Sequence, residues 1–397
     1  MTDPLAINGG TPVRSRLLPY GRQSIEEEDI AEVVNVLRSD WLTTGPQVER
    51  FEEAFADQFG PQRTVAVSSG TAALHTAIFA LGAGEGDEII LPTLTFCATA
   101  NCVLYQGATP VFADVDPDKL LIDPSAVEAL ITDRTRAVIS VDYTGHPCNY
   151  DRLSILCEHH GIKLVDDASH ALGARYHGKA IGTLADLTTF SFHPVKHITS
   201  GEGGLIATDD EEWASVMKRF RNHNISSEFR QRENNTTWHY DVVGLGYNYR
   251  LTDIQCALAL SQLSRLPARL DRRRQIARAY SEAFCDLDAV QPLAVDPEVE
   301  HAWHLYVIGL DLDQLTADRS EIFRALRAEG IGVNVHYIPV HLHSWYQDRL
   351  GTAPGLCPVA EDAYQRILSL PIFPGMTDSD IEDVIVAVNK VTEAFRK

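Results

Sequence analysis

The stretch Asp186-Leu-Thr-Thr-Phe-Ser-Phe-His-Pro-Val-Lys-His-Ile-Thr-Ser-Gly-Glu-Gly-Gly204 decides how the chain is read. Leu187 to Phe192 has the composition of a short strand, a loop carrying Lys196 follows, and a glycine cluster precedes a second strand from Leu205 to Thr208. Ser191 offers a hydroxyl at the strand end, and Lys196 offers an amine five residues on. The glycines let backbone and a bulky group approach closely. A lysine before glycines is by itself an ordinary surface residue, so its meaning rests on what the rest of the chain brings to the same place.

Upstream, Thr64-Val-Ala-Val67 reads as a strand, Ser68-Ser-Gly-Thr71 as a tight turn, and Ala72 to Leu81 as a buried, alanine-rich helix. That arrangement aims free backbone N–H groups at an anion. Strand and helix then alternate: strands at Glu88 to Leu91, Thr109 to Ala113, Ala137 to Val141 and Lys163 to Asp166, with helices between them. Repeated βα units with apolar strands predict an α/β fold around a mostly parallel sheet covered on both faces. Ligands on such sheets sit at the carboxyl ends of the strands. Four features fall there: Ser69 to Thr71, Thr95-Phe96, Asp166 to His170, and Ser191 to Lys196.

The flanks complete the organisation. Residues 1–23 read as an arm, and Ser24-Ile-Glu-Glu27 as a capping box opening a helix with the apolar stripe Ile30, Val33, Val34 and Leu37. Phe51, Phe55 and Phe59 share one face of the next helix, a core stripe. Residues 223–248 are polar with little periodicity, a length of loop that is more often functional than incidental. A helix from Thr252 through Leu263 follows, Pro267 breaks the pattern, and a charged helix from Arg269 to Arg278 leads into a second domain of α+β character. Its expected strands are His304 to Leu310 and Gly332 to His336, and its helices Arg319 to Ala328 and Asp378 to Phe395. The expected division is a large α/β domain over 1–265, arm included, and a small α+β domain over 266–397.

Composition narrows the function. Acidic residues outnumber basic ones 55 to 34, for a formal charge of -21. Nucleic acid and anionic lipid are bound by lysine and arginine neutralising phosphates, so neither is an expected partner. A phosphate-bearing ligand must be captured locally. The seven cysteines are scattered, an odd count without a C-x-x-C, and read as reduced residues of a cytoplasmic protein. No basic n-region with an apolar h-region and no long apolar run is present, so neither export nor membrane insertion is expected. His336, His341 and His343 lack a cysteine or carboxylate at ligand spacing, which favours substrate contact over metal; no metal is expected.

A lysine, a carboxylate, an aromatic and a phosphate cradle at the strand ends of one α/β domain suggest a pyridoxal 5′-phosphate site. That cofactor needs an amine for a Schiff base, and a carboxylate that keeps its ring nitrogen protonated so the ring can accept electrons. An aromatic face for the ring, and amides with hydroxyls for the phosphate, complete such a site.

Four motifs, Ser68-Ser-Gly-Thr-Ala-Ala-Leu74, Asp166-Asp-Ala-Ser-His170, Ser191-Phe-His-Pro-Val-Lys196 and Gly246-Tyr-Asn-Tyr-Arg-Leu-Thr-Asp253, match in order the DegT/DnrJ/EryC1/StrS sugar aminotransferases. The resemblance runs from about Leu18 to the C-terminus. It implies fold-type I pyridoxal phosphate architecture. By position it makes Lys196 the Schiff-base lysine and proton shuttle and Asp167 the partner of the ring nitrogen, with Asp166 a neighbour of less defined role. His170 would sit by the ring and its 3′-oxygen, Phe96 would stack on it, and Gly70, Thr71 and Ser191 would hold the phosphate. Asn248 resembles the family asparagine that reaches the phosphate across an interface, which implies a homodimer with shared sites. Arg250 would serve that phosphate or the substrate's diphosphate, and His336, Tyr337 and His341 are candidates for substrate contact.

Within the family, His193-Pro-Val-Lys196, Thr199-Ser-Gly-Glu-Gly-Gly204, Leu245-Gly-Tyr-Asn-Tyr-Arg250, Ala302-Trp-His-Leu-Tyr306 and Gly332-Val-Asn-Val-His-Tyr-Ile-Pro-Val-His341 resemble the pseudaminic acid branch. The implied reaction is amino transfer from L-glutamate to C4 of a UDP-linked 4-keto-6-deoxy-N-acetylhexosamine. Two alternatives stay open: a dTDP- or GDP-linked keto sugar aminated at C3 or C4, or a non-catalytic homologue that binds the cofactor. Lys196 discriminates, because dehydrating relatives of the family carry histidine there and a silent homologue would have no need to keep the lysine. His197, directly after the lysine, departs from the apolar or small residue the pattern leads one to expect.

Overall fold

The computed structural model describes residues 4–227 and 229–397. Seven strands form the central sheet, in the spatial order Arg63–Val67, Gly204–Thr208, Leu187–Ser191, Lys163–Asp167, Thr135–Val141, Glu88–Pro92 and Thr109–Ala113. From Leu187–Ser191 outward to Thr109–Ala113 all pairings are parallel. Gly204–Thr208 alone runs against both neighbours. The carboxyl ends of the other six strands therefore share one edge, and the turns leaving that edge carry the candidate site. Ile89, Ile90 and Leu91 are all fully buried, because helices cover both faces of a parallel sheet.

Two hydrophobic cores are present. The larger lies around the central sheet and takes in the Phe51, Phe55 and Phe59 stripe. The smaller surrounds the sheet Val290–Pro292, Tyr306–Leu310, Ile367–Leu370 and the helix Asp378–Ala394. Leu5 and Leu18 of the N-terminal arm belong to this second core. The arm is held there by Glu329, which accepts from the Ala6 and Val13 amides at 2.8 and 3.0 Å. Conversely, Val340, Tyr346 and Cys357 pack into the larger core. The N-terminal arm and the Val340 to Cys357 segment thus cross between the two cores.

Several local expectations are corrected. The first helix, Glu27–Leu37, is capped by Glu26 with Asp29 answering in the capping box, not by Ser24. Its inward face is Asp29 and Val36, while Ile30 and Leu37 are exposed. Asp29 wins the inward position because Ser261 and Gln262 donate to its carboxylate at 2.7 and 2.6 Å. Pro267 sits in the first turn of the helix Leu266–Phe284, where its missing N–H costs nothing. The second-domain strand starts at Tyr306, and residues 332–336 are tied by a single Asn334–Ser369 bridge instead of forming a strand. Within the long polar stretch, Phe229–Asn234 is a short helix.

Candidate active site

The phosphate cradle is built by close approach. Ser69 caps the helix Gly70–Ala80 by accepting from the Ala72 amide, which leaves the Gly70 and Thr71 N–H groups free in the first turn. A methyl on Gly70 would stand 2.8 Å from the Ser191 Cβ. One on Gly204 would stand 2.4 Å from the Ser69 carbonyl oxygen. Glycine at both positions is what brings the Ser191 hydroxyl against the free amides, the donor set that a phosphate requires.

At the end of Lys163–Asp167, strand alternation sends the two carboxylates to opposite faces. Asp167 accepts from the Thr99 hydroxyl at 2.8 Å and the Ser169 amide at 3.2 Å. Asp166 faces a buried polar pocket, where the Ser140 hydroxyl donates to it at 3.2 Å. Burial, with Asp142 close by, pushes the Asp166 carboxyl well above the usual range. Asp142 rises to about 7, burial again being the main cause. Asp166 therefore belongs to a buried pair of carboxyls with Asp142, both raised above the usual range, and Asp167 is the carboxylate on the site side.

Lys196 is half-buried on the loop that follows Leu187–Ser191. Burial draws its amine down to about 8, with the Asp167 charge opposing and the Arg273 charge assisting. Its Nζ lies 3.4 Å from Nε2 of His304. His170 is buried and neutral, its pKa driven far down by burial and then by Lys196. Tyr337 lies 3.1 Å from His170 Nε2 through its hydroxyl, while His170 Nδ1 has no partner among the described residues. Phe96, beside the same strand ends, is 56% exposed, with the Tyr337 ring 6.0 Å from its own. An exposed aromatic face, an unmatched buried ring nitrogen, a carboxylate, a depressed amine and an anion cradle fit pyridoxal phosphate.

The remaining candidates divide. Tyr337 joins the group. His336 is engaged elsewhere, with Nδ1 2.8 Å from the Ser369 hydroxyl and Nε2 3.3 Å from Asn334. His341 is fully buried, and Thr93 and Glu361 take its two ring nitrogens. It locks the end of the Glu88–Pro92 strand to the helix Pro358–Arg366 and has no nitrogen left for a ligand. Arg250 donates to the Asn222 side chain at 2.7 Å. It lines a cleft of about 840 Å³ together with Arg219 and Arg221, a wall that does not include Lys196. Asn248 is exposed and makes no side-chain hydrogen bond among the described residues, one residue before the Tyr249 carbonyl that accepts from the Ser68 amide at 2.8 Å. Thr99 and His304 were not singled out from sequence as site residues. Thr99 stands one helical turn after Phe96, and His304 lies inside the Ala302-Trp-His-Leu-Tyr306 motif.

Fold and site together define a pyridoxal-phosphate-dependent enzyme of fold type I. Residues 23–389 match the DegT/DnrJ/EryC1/StrS aminotransferase family, and the chain belongs to it. It is a nucleotide-sugar aminotransferase that takes pyridoxal phosphate. The spore coat polysaccharide biosynthesis protein SpsC of Bacillus subtilis is 42% identical over 382 residues, covering 96% of this chain and 98% of SpsC. Among solved structures, PseC of Helicobacter pylori, an aminotransferase of pseudaminic acid biosynthesis, superimposes with a TM-score of 0.89 at 34% identity, over 96% of this chain and all of PseC. Spr1654 of Streptococcus pneumoniae, described as a sugar aminotransferase and solved with its cofactor in the pyridoxamine form, gives 0.90 at 33% identity, over 95% of this chain and 99% of that one. Among the described residues no helix is long and apolar enough to cross a membrane.

Proposed function

We propose that this chain is a cytoplasmic enzyme that moves the amino group of L-glutamate to C4 of a UDP-linked 4-keto-6-deoxy-N-acetylhexosamine, the chemistry of pseudaminic acid biosynthesis. The observation that carries the reaction is Lys196 standing among Asp167, His170 and the Gly70–Ser191 cradle. The likeness to PseC over the whole of that chain supports the substrate.

Bound here, pyridoxal phosphate supplies an electron sink that makes the Cα–H of an amino acid acidic. The chain's own groups do the rest. Gly70, Thr71 and Ser191 would anchor the phosphate, Asp167 would keep a proton on the ring nitrogen, and Phe96 would cover the ring. Lys196 would be the group that carries a proton between the amino donor's Cα and the cofactor's C4′. With its amine at about 8, about a tenth is free base at pH 7, against a few parts in ten thousand for an ordinary lysine. Tyr337 and His170 orient the groups at the ring's edge. Arg250 is proposed nearer the substrate's diphosphate.

The working unit is proposed to be a homodimer in which Asn248 reaches the phosphate held by the other copy. Trp238 and Leu245, 86% and 78% exposed, with Val242 and Val243 between them, leave an apolar segment beside Asn248 that a second copy would cover. Two domains, near 1–265 and 266–397, would then share the work, with the C-terminal part contributing Tyr337 and His304.

The higher identity to SpsC favours a second reading, a different nucleotide keto sugar destined for another polysaccharide. A glutamate-dependent assay against UDP-, dTDP- and GDP-linked 4-keto-6-deoxy sugars, following 2-oxoglutarate, separates the two. Turnover confined to a dTDP-linked or 3-keto sugar would overturn the UDP assignment and leave the reaction class intact.

A further inference from the structure

The segment His301 to Leu305 is held with unusual thoroughness. The Ala302 amide donates to the Gly145 carbonyl at 2.9 Å, and the His304 and Leu305 amides donate to the Thr144 carbonyl at 2.8 and 3.2 Å. His197 donates through Nε2 to the Ala302 carbonyl at 3.0 Å. Arg273 donates to the Trp303 and His304 carbonyls at 2.9 and 3.2 Å. Trp303 itself sits at φ +52°, a left-handed conformation that a bulky residue holds only when its surroundings enforce it. Among the described residues Arg273 has no carboxylate partner, although its side chain is buried. Spending a buried guanidinium on carbonyls is costly, so the position of this loop matters.

What the clamp fixes is His304. Its ring lies 4.3 Å from the His170 ring, and its Nε2 3.4 Å from the Lys196 amine. Its Nδ1 is buried without a partner among the described residues. An orphaned N–H is rarer in proteins than an orphaned lone pair. The tautomer that leaves only a lone pair unmatched carries its proton on Nε2, facing Lys196. An N–H facing an amine at hydrogen-bond range can be accepted only by the uncharged form, since an ammonium has no lone pair.

We propose that His304 is the positioning residue of Lys196: its Nε2–H donates to the uncharged amine and so favours the free base, holding it in the place where it must take up a proton. His197 acquires a role as well, because the imidazole directly after the lysine clamps the loop that carries His304. The inference rests on Lys196 being the cofactor lysine. The ionisable groups around that amine are Asp167, His170, His197, His304, His336 and Arg273. Of these only His304 is in hydrogen-bond range of Nζ. Burial and the neighbouring Lys196 keep His304 itself neutral.

The test is the pH dependence of Lys196 labelling in the full-length, cofactor-free chain, using trace acetic anhydride and peptide mass spectrometry. The wild type should titrate near 8. His304→Phe should move the midpoint up by about one pH unit, so that labelling at pH 7 falls about tenfold. His304→Gln, which keeps an N–H donor, should stay close to the wild type. Should the phenylalanine variant not fold, His304→Asn, whose shorter amide falls away from Nζ, takes its place with the same expected shift. An unchanged midpoint in the donor-free variants, or an equal shift in His304→Gln, overturns the proposal. That failure would be seen in a protein that still attaches pyridoxal phosphate at Lys196, whereas failure of the cofactor reading would appear as lost attachment with the titration shift intact.

Discussion

The Tyr337 hydroxyl and Nε2 of His170 lie 3.1 Å apart, joining the segment after Gly332 to the turn that follows the Asp167 strand end. With that nitrogen matched, His170 has only Nδ1 to offer the cofactor. A neutral hydrogen bond of this kind contributes about 0.5–1.5 kcal/mol. Tyr337→Phe should therefore lower kcat/KM about two- to tenfold while the protein still binds pyridoxal phosphate. Steady-state kinetics beside a cofactor titration check this, and unaltered kinetics would remove Tyr337 from the site.

Gly70→Ala adds a methyl 2.8 Å from the Ser191 Cβ, at the mouth of the cradle. The helix gains propensity from the change, so the fold should survive. Cofactor affinity should fall at least about tenfold, measured by absorbance titration of the cofactor-free protein. Wild-type affinity would show that the phosphate sits elsewhere.

The Lys196 amine should leave a signature in stability. Its folded value, about 8, lies below the ordinary 10.5. Between those values the unfolded chain binds more protons than the folded one, so stability rises with pH through that window. The cost is fully present below pH 8 and gone above about pH 10.5. In the cofactor-free protein Lys196→Met should thus be stabilising at pH 7, by about 1–2 kcal/mol after discounting for partial exposure, and neutral near pH 10.5. Thermal denaturation at the two pH values decides it, and a difference that does not change with pH would contradict the depressed amine.

If Asn248 completes the partner's site, two inactive variants should rescue each other. Mixing Lys196→Ala with Asn248→Ala after dissociation and reassociation puts half of the dimers in a mixed state with one intact site. Activity should recover to about one quarter of wild type. No recovery, with subunit exchange verified, would place Asn248 in its own chain's site or in none.

Much of this arrangement was legible because strand-end positions in a parallel sheet are fixed by the alternation of strand and helix. Ser69 to Thr71, Phe96, Asp167, His170, Ser191 and Lys196 all lie at or just beyond the carboxyl edge of the central sheet. What sequence did not convey depends on contacts between distant segments. His341 looks like a ligand-ready histidine until Thr93 and Glu361 are found on its two nitrogens. Ile30 and Leu37 look like core until Ser261 and Gln262 are found drawing Asp29 inward. His304 lies 108 residues from Lys196, and nothing local to either residue predicts that they meet. The arm looked like an appendage of the first domain because its attachment to the second core runs through Glu329, more than 300 residues away.

The most direct test of the account is chemical. The protein purified with pyridoxal phosphate is reduced with borohydride, digested, and the modified peptide sequenced by mass spectrometry. The account predicts one phosphopyridoxyl group, on Lys196, abolished by Lys196→Ala. Attachment at another lysine, or none in a protein that aminates sugars, would contradict it.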